Sequence, residues 1–124
     1  MDGIKLFEGE LKLMELLWSQ EGASAKDLAT QAAQQLGWNK NTTYTVIKRL
    51  VSKGAIRRSE PGFICHSLVA RAQVGHEEAQ TVVNSFFGGS VGALFASFMD
   101  KGTLSDQDAA QLRRLIDEHK PAKD

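Results

Sequence analysis

The spacing of the apolar residues changes at Gly54, and that change restricts what the first half of the chain can fold into. Before Gly54 the spacing is helical. Phe7, Leu11, Met14 and Trp18, with Leu17 beside them, predict a first helix over residues 7–19 with one apolar face. Gly22 ends it. Ser24 then opens a second helix as its N-cap, with Asp27 completing a loose capping box, and Leu28, Ala29, Ala32, Ala33 and Leu36 face the core until Gly37. A third helix starts near Asn39 or Asn41, either of which can cap it, and runs through Val46, Ile47, Leu50 and Val51 to Gly54. After Gly54, residues 55–58 and 63–68 are short strand-like runs around Ser59, Glu60, Pro61 and Gly62, whose proline and glycine suit a hairpin turn.

Three small helices with a hairpin behind the third make the winged form of helix-turn-helix, in which the third helix enters a DNA groove and the hairpin flanks it. The rest of the chain is helical again. Val82, Val83, Phe86 and Phe87 precede a break at Gly88 and Gly89, and Val91, Leu94, Phe95, Phe98 and Met99 form a second stripe. Ser105 with Asp108 caps a last helix that carries Ala109, Leu112, Leu115 and Ile116. So many large apolar residues in so short a segment are poorly enclosed by one copy, which predicts that a partner chain completes this core. The expected organisation is mainly α with a small β-hairpin: a winged-helix DNA-binding domain over residues 1–68, a helical dimerisation domain over 69–120 and a frayed end over 121–124. The dimerisation residues are Val82, Val83, Phe86, Phe87, Val91, Leu94, Phe95, Phe98, Leu112, Leu115 and Ile116.

Total charge argues against a nucleic-acid partner, with 15 basic residues against 15 acidic ones. Its distribution does not. Residues 36–68 hold Lys40, Lys48, Arg49, Lys53, Arg57 and Arg58 against Glu60 alone, whereas residues 69–124 hold six basic and eight acidic residues. At about 100° per residue, the third helix puts Thr43, Ile47, Leu50 and Val51 on one side. Asn41, Thr42, Thr45, Lys48, Arg49 and Ser52 fall on the other, with Tyr44 at the boundary. The second side has the chemistry of a reading helix. It offers long donors for guanine edges in Arg49 or Lys48, an amide for adenine in Asn41, and threonines that can meet thymine methyls or phosphates. Lys40 and Lys53, at the two ends of the helix, suit phosphate contacts, although Lys53 also fits the C-terminal helix dipole without DNA. Arg57 and Arg58 alternate on one strand, so at most one of them faces DNA.

Enzymatic chemistry finds no foothold. Cys65 and His66 are neighbours on a strand and diverge, His76 and His119 make no short ligand spacing, and Gly88 and Gly89 have no following lysine to cradle a phosphate. Glu77 and Glu78 beside His76 are explained by the dipole of a helix N-terminus. No catalytic residue, metal or cofactor is expected. The single cysteine excludes an internal disulfide and fits a reducing, cytoplasmic setting. Charges interleaved through residues 1–18 leave no run for a signal peptide or membrane insertion.

From about Leu6 to Lys120 the sequence resembles the penicillinase-repressor (BlaI/MecI/CopY) family of winged-helix transcriptional regulators. The likeness rests on Glu10, Leu13, Met14, Leu17 and Trp18, and on Thr42, Tyr44, Thr45, Val46, Ile47, Lys48, Arg49, Leu50, Lys53 and Gly54. In the tail it rests on residues 85–98 with Leu104, Ser105, Asp108, Leu112, Leu115 and Ile116. The resemblance implies a dimeric repressor on an inverted-repeat operator, with Asn41, Thr42, Tyr44 and Thr45 facing bases and Lys48 and Arg49 near the backbone. It also implies, as in the penicillinase branch, a regulatory protease that cuts the bond between Ser97 and Phe98, although those relatives carry asparagine where this chain has Ser97. The cysteine cluster of the copper-responsive branch has no counterpart beyond Cys65. The function expected is therefore a sequence-specific, double-stranded-DNA-binding repressor acting as a homodimer; the alternative is a winged-helix module for protein contacts alone.

Overall fold

The structure is a computed structural model that describes residues 4–119; the frayed end expected over residues 121–124, and Lys120, lie outside the described residues. Its order is α1 (Glu8–Ser19), α2 (Ala25–Leu36), α3 (Lys40–Lys53), β1 (Ile56–Ser59), β2 (Ile64–Ser67), α4 (Arg71–Phe86), α5 (Val91–Asp100) and α6 (Asp106–Glu118). The chain divides into two compact units, residues 1–78 and 79–124.

In the first unit α1, α2 and α3 pack around Leu13, Met14, Leu17, Leu28, Ile47 and Leu50, all fully buried, and the hairpin closes the core with Ile56 and Cys65. This is the winged helix-turn-helix arrangement. Local chemistry sets its boundaries. The Ser24 hydroxyl accepts the Asp27 amide at the start of α2, and the Asn39 side chain, rather than Asn41, accepts the Thr42 amide at the start of α3. Gly54 ends α3 at φ +84°, a left-handed conformation in which a side chain would be strained. The strands pair antiparallel, Ile56 with Ser67 and Arg58 with Cys65.

Four details differ from the sequence expectation. Phe7 and Leu11 lie exposed, and the buried stripe of α1 runs instead through Glu10, Leu13 and Leu17, with Leu6 just ahead of the helix. The expected stripe is rotated because it counted only apolar residues, while a glutamate holds one of the inward positions. Ala33 is likewise exposed, on the outer side of α2. The residues before α2 pair with β2 as a third strand in miniature: the Ala25 amide donates to the Phe63 carbonyl at 2.9 Å and the Cys65 amide to the Ala23 carbonyl at 2.8 Å.

The fourth concerns the division of the chain, which falls ten residues later than the expected boundary at 68/69. Val74 on α4 joins the first core, and the Trp18 indole donates to the Ser67 hydroxyl and the Val69 carbonyl at 3.1 and 3.0 Å. Arg71 pairs with Glu15 and lies over the Trp18 ring. The first turn of α4 is thereby part of the winged unit.

In the second unit, Gly88 and Gly89 at positive φ separate α4 from α5, and the Ser90 and Ser105 hydroxyls cap α5 and α6 by accepting the amides of Ala93 and Asp108. Leu94, Phe95, Leu104 and Leu112 are half-buried, while Phe86 keeps 79% of its surface exposed and Ile116 71%. No single helix among the described residues is long and apolar enough to cross a membrane. Replacing Asn39 with alanine removes the α3 cap and is expected to cost about 1 kcal/mol, read as a lower urea midpoint with unchanged slope.

Candidate nucleic-acid interface

Helix α3 divides cleanly around its circumference. Thr43, Val46, Ile47 and Leu50 are buried, whereas Asn41, Thr42, Thr45, Lys48, Arg49 and Ser52 are exposed, so the six residues expected on the reading side share one solvent face. The cause is the 3.6-residue period, with Leu50, Ile47 and Val46 drawn into the three-helix core and the polar side chains from Asn41 to Ser52, Thr43 and Tyr44 apart, left outside. A face of amides, hydroxyls and cations, held on a helix with a well-packed back, can present hydrogen-bond donors and acceptors to base edges and phosphates.

The hairpin is fastened to the same side of α3 by aromatic contacts. Tyr44, half-buried at the edge of this exposed face, meets Phe63 edge to face at 6.0 Å with an interplanar angle of 79°. Lys40 lies 5.8 Å over the Tyr44 ring and the Arg58 guanidinium 3.6 Å over Phe63, so both rings gain a cation. Glu60 accepts from Arg58 and from the Phe63 amide, and these bonds hold its carboxyl below the usual value. Arg57 and Arg58 therefore separate as strand alternation requires. Arg58 belongs to the row of Ile56 and lies over Phe63, whose ring meets Tyr44, whereas Arg57 pairs across the hairpin with His66 on the other face. Arg57 is accordingly removed from the group that gathers around α3.

Lys53 also departs from the expectation. Its ammonium donates to the Glu10 carboxylate at 2.5 Å and to the Lys5 carbonyl at 2.7 Å, and lies 4.5 Å over the Phe7 ring. It is tied down inside the unit. The reason is Glu10: its side chain has no exposed surface and accepts the Phe7 amide at 2.9 Å as well as Lys53. Burial by itself raises the pKa of Glu10, but the Lys53 and Phe7 hydrogen bonds and the charges of Lys53 and Arg49 outweigh it, leaving the carboxyl below its ordinary value of 4.5. The signal in the sequence was a single charge on the inward stripe between Leu6 and Leu13.

Cys65 and His66 diverge. Cys65 is buried and its thiol is pushed up to about 11 by desolvation, while His66 lies within 3.0 Å of the Ser59 hydroxyl. In the second unit Phe86, Val91, Phe98, Leu115 and Ile116 are exposed and Val82 is 43% exposed, but Val83 is buried within its own chain at 3%. Val83 is therefore not free to meet a partner. Between α5 and α6 opens an apolar groove of about 600 Å³ lined by Phe95, Met99, Leu104, Leu112 and Ile116. Ser97 is half-buried and Phe98 exposed on α5.

The penicillinase repressor family model matches residues 7–118. The chain belongs to that family. Among relatives, the methicillin resistance regulatory protein MecI of Staphylococcus aureus is 26% identical over 114 residues, covering 90% of this chain and 93% of its own. The penicillinase repressor of Bacillus licheniformis is 21% identical over 121 residues, covering 96% and 94%. In structure, the DNA-binding domain of the repressor BlaI superposes with a TM-score of 0.53 at 21% identity, covering 58% of this chain and 92% of that domain. The monomeric form of Bacillus licheniformis BlaI, solved in complex with the blaP half-operator, gives 0.52 over the same shares. These likenesses support the winged-helix fold of the first unit.

Two measurements check the interior of this family member. A carboxyl whose pKa is lowered on folding adds stability above its unfolded pKa and loses that contribution as pH falls through the folded value. The stability gap between wild type and Glu10→Gln in urea is therefore expected to hold steady from pH 6 to 8 and to shrink below about pH 4.5. Cys65 is expected to react with a thiol reagent only at the rate of unfolding, since it is buried and protonated at neutral pH.

Proposed function

We propose that this protein is a sequence-specific DNA-binding transcriptional repressor that acts as a homodimer on an inverted-repeat operator. The observation that carries the reading is the exposed face of α3, where Asn41, Thr42, Thr45, Lys48, Arg49 and Ser52 stand together on a helix whose opposite side is core. Thr42, Thr45 and Arg49 read bases; Lys40, Lys48 and Arg58 position the phosphate backbone, with Asn41 and Tyr44 at the edge of the contact. Membership in a repressor family and the half-operator bound by the related BlaI domain support it.

Repression on this reading is occupancy of promoter DNA. Two copies place their α3 helices in successive major grooves about one helical turn or a multiple apart, and the second units join through Phe86, Val91, Phe98, Leu115 and Ile116, which one chain leaves in water. The bond between Ser97 and Phe98 is the proposed point of proteolytic release, and the protein works in the cytoplasm, with the DNA.

Three phosphate-directed cations per subunit, six per dimer, give a slope of log affinity against log salt of about −5. A titration of labelled duplex at several salt concentrations measures it; a flat response contradicts the reading. Thr45→Ala with Arg49→Ala is expected to remove at least about tenfold of the preference for operator over scrambled duplex. Phe86→Asp with Ile116→Asp changes two side chains exposed in a single chain and is expected to yield folded monomers in sedimentation, whereas a dimer of unchanged strength would contradict the proposed interface.

A further inference from the structure

Glu10 serves the interior in two ways, and only one of them is complete. Its Oε1 accepts from Lys53 and from the Phe7 amide, whereas Oε2 is buried without a hydrogen-bond partner among the described residues. Arg49 approaches that oxygen, with Nη1 at 4.0 Å. This distance lies beyond a hydrogen bond but within direct ion pairing, and the Arg49 side chain is 53% exposed while that of Glu10 is wholly covered. Arg49 and Lys53 are four residues apart on α3, so helical geometry stacks both over the first turn of α1, where Glu10 stands.

We propose that Glu10 is a positioning residue for DNA recognition, its buried carboxylate holding the Arg49 guanidinium in the orientation in which it reads a base. This rests on the repressor reading above. Arginine has five N–H donors in a planar fork, so one edge can face the carboxylate behind it while another stays free for the O6 and N7 of a guanine. A free surface arginine surrenders its rotamer freedom when it binds; one already held by a fixed anion surrenders less, and the orientation it keeps favours one base over others. Lys53 completes the arrangement. It stabilises the charge of Glu10 on the other oxygen, so the carboxylate persists at neutral pH with Oε2 left for Arg49.

The test is a double-mutant cycle on the full chain with wild type, Glu10→Gln, Arg49→Ala and the double variant. Each is titrated, at one salt concentration, against a duplex selected from random DNA by the wild type and against a scrambled duplex of equal length. Glu10→Gln is expected to lower the preference for the selected duplex about tenfold, as Arg49→Ala does, with no further loss in the double variant. A folded Glu10→Gln protein that keeps the full preference, losses that multiply in the double variant, or an Arg49→Ala change that weakens both duplexes equally would each overturn the positioning role while leaving DNA binding itself intact. A wild type without preference would instead remove the repressor reading and this inference together. A measurement on the unaltered protein guards against a variant that fails to fold: by ¹⁵N relaxation the Arg49 Nε–H is expected to be more ordered than that of Arg114, and equal mobility of the two would overturn the proposal.

Discussion

A carboxylate with no surface in water joins the first turn of α1 to the last turns of α3, and the set of cations that α3 leaves to solvent depends on it. Glu10 cannot be charged in that position without cations beside it, because transfer of an unpaired carboxylate from water is prohibitively costly. Lys53 supplies one at 2.5 Å and Arg49 approaches at 4.0 Å. The same contact ties α1 to α3 beside their shared apolar core and decides which cations on α3 remain available to a ligand. Lys53 is consumed. What remains outward is Lys40, Lys48 and Arg49, together with the polar side chains between them.

The hairpin is subordinate to that helix. Phe63 fills the space beside Tyr44, Arg58 covers Phe63, and Glu60 holds Arg58, so the tip of the wing is fixed relative to the amino-terminal half of α3 by side chains rather than by backbone pairing. Behind them, Cys65 and Ile56 close the core. The surface that results is continuous from Lys40 to Arg58 although its residues come from two separate elements. In the second unit the physical situation is reversed. Its helices are short, capped by Ser90 and Ser105, and leave Phe86 and Ile116 largely in water. The homodimer proposed above covers these side chains with the same surface of a second copy.

How much of this could be read from the residues in order depended on whether the deciding interaction was local. The two faces of α3 were legible because its apolar and polar residues separate at 3.6-residue spacing, and the starts of α2 and α6 and the end of α3 were legible because Ser24, Ser105 and Gly54 act on backbone groups within a few residues, while two asparagines, Asn39 and Asn41, left the start of α3 open. The inward face of α1 was not, since Glu10 occupies a core position for the sake of Lys53, a partner 43 residues away. The third strand beside β2 depends only on backbone groups of Ala23 and Ala25, which carry no side-chain signal. Likewise the inclusion of the first turn of α4 in the winged unit rests on Val74, Trp18 and Arg71 meeting across long stretches of chain. Alternation could state that Arg57 and Arg58 part company, but only Phe63 and Tyr44 decide which of them turns toward α3.

On the proposed function, one face of α3 lies along paired bases. Amide chemical-shift mapping during titration with a duplex selected from random DNA tests it residue by residue. The largest changes are expected on Asn41, Thr42, Thr45, Lys48, Arg49 and Ser52, with a second group at Arg58 and the wing tip. Changes concentrated on α1 or α2, with α3 unperturbed, would contradict it.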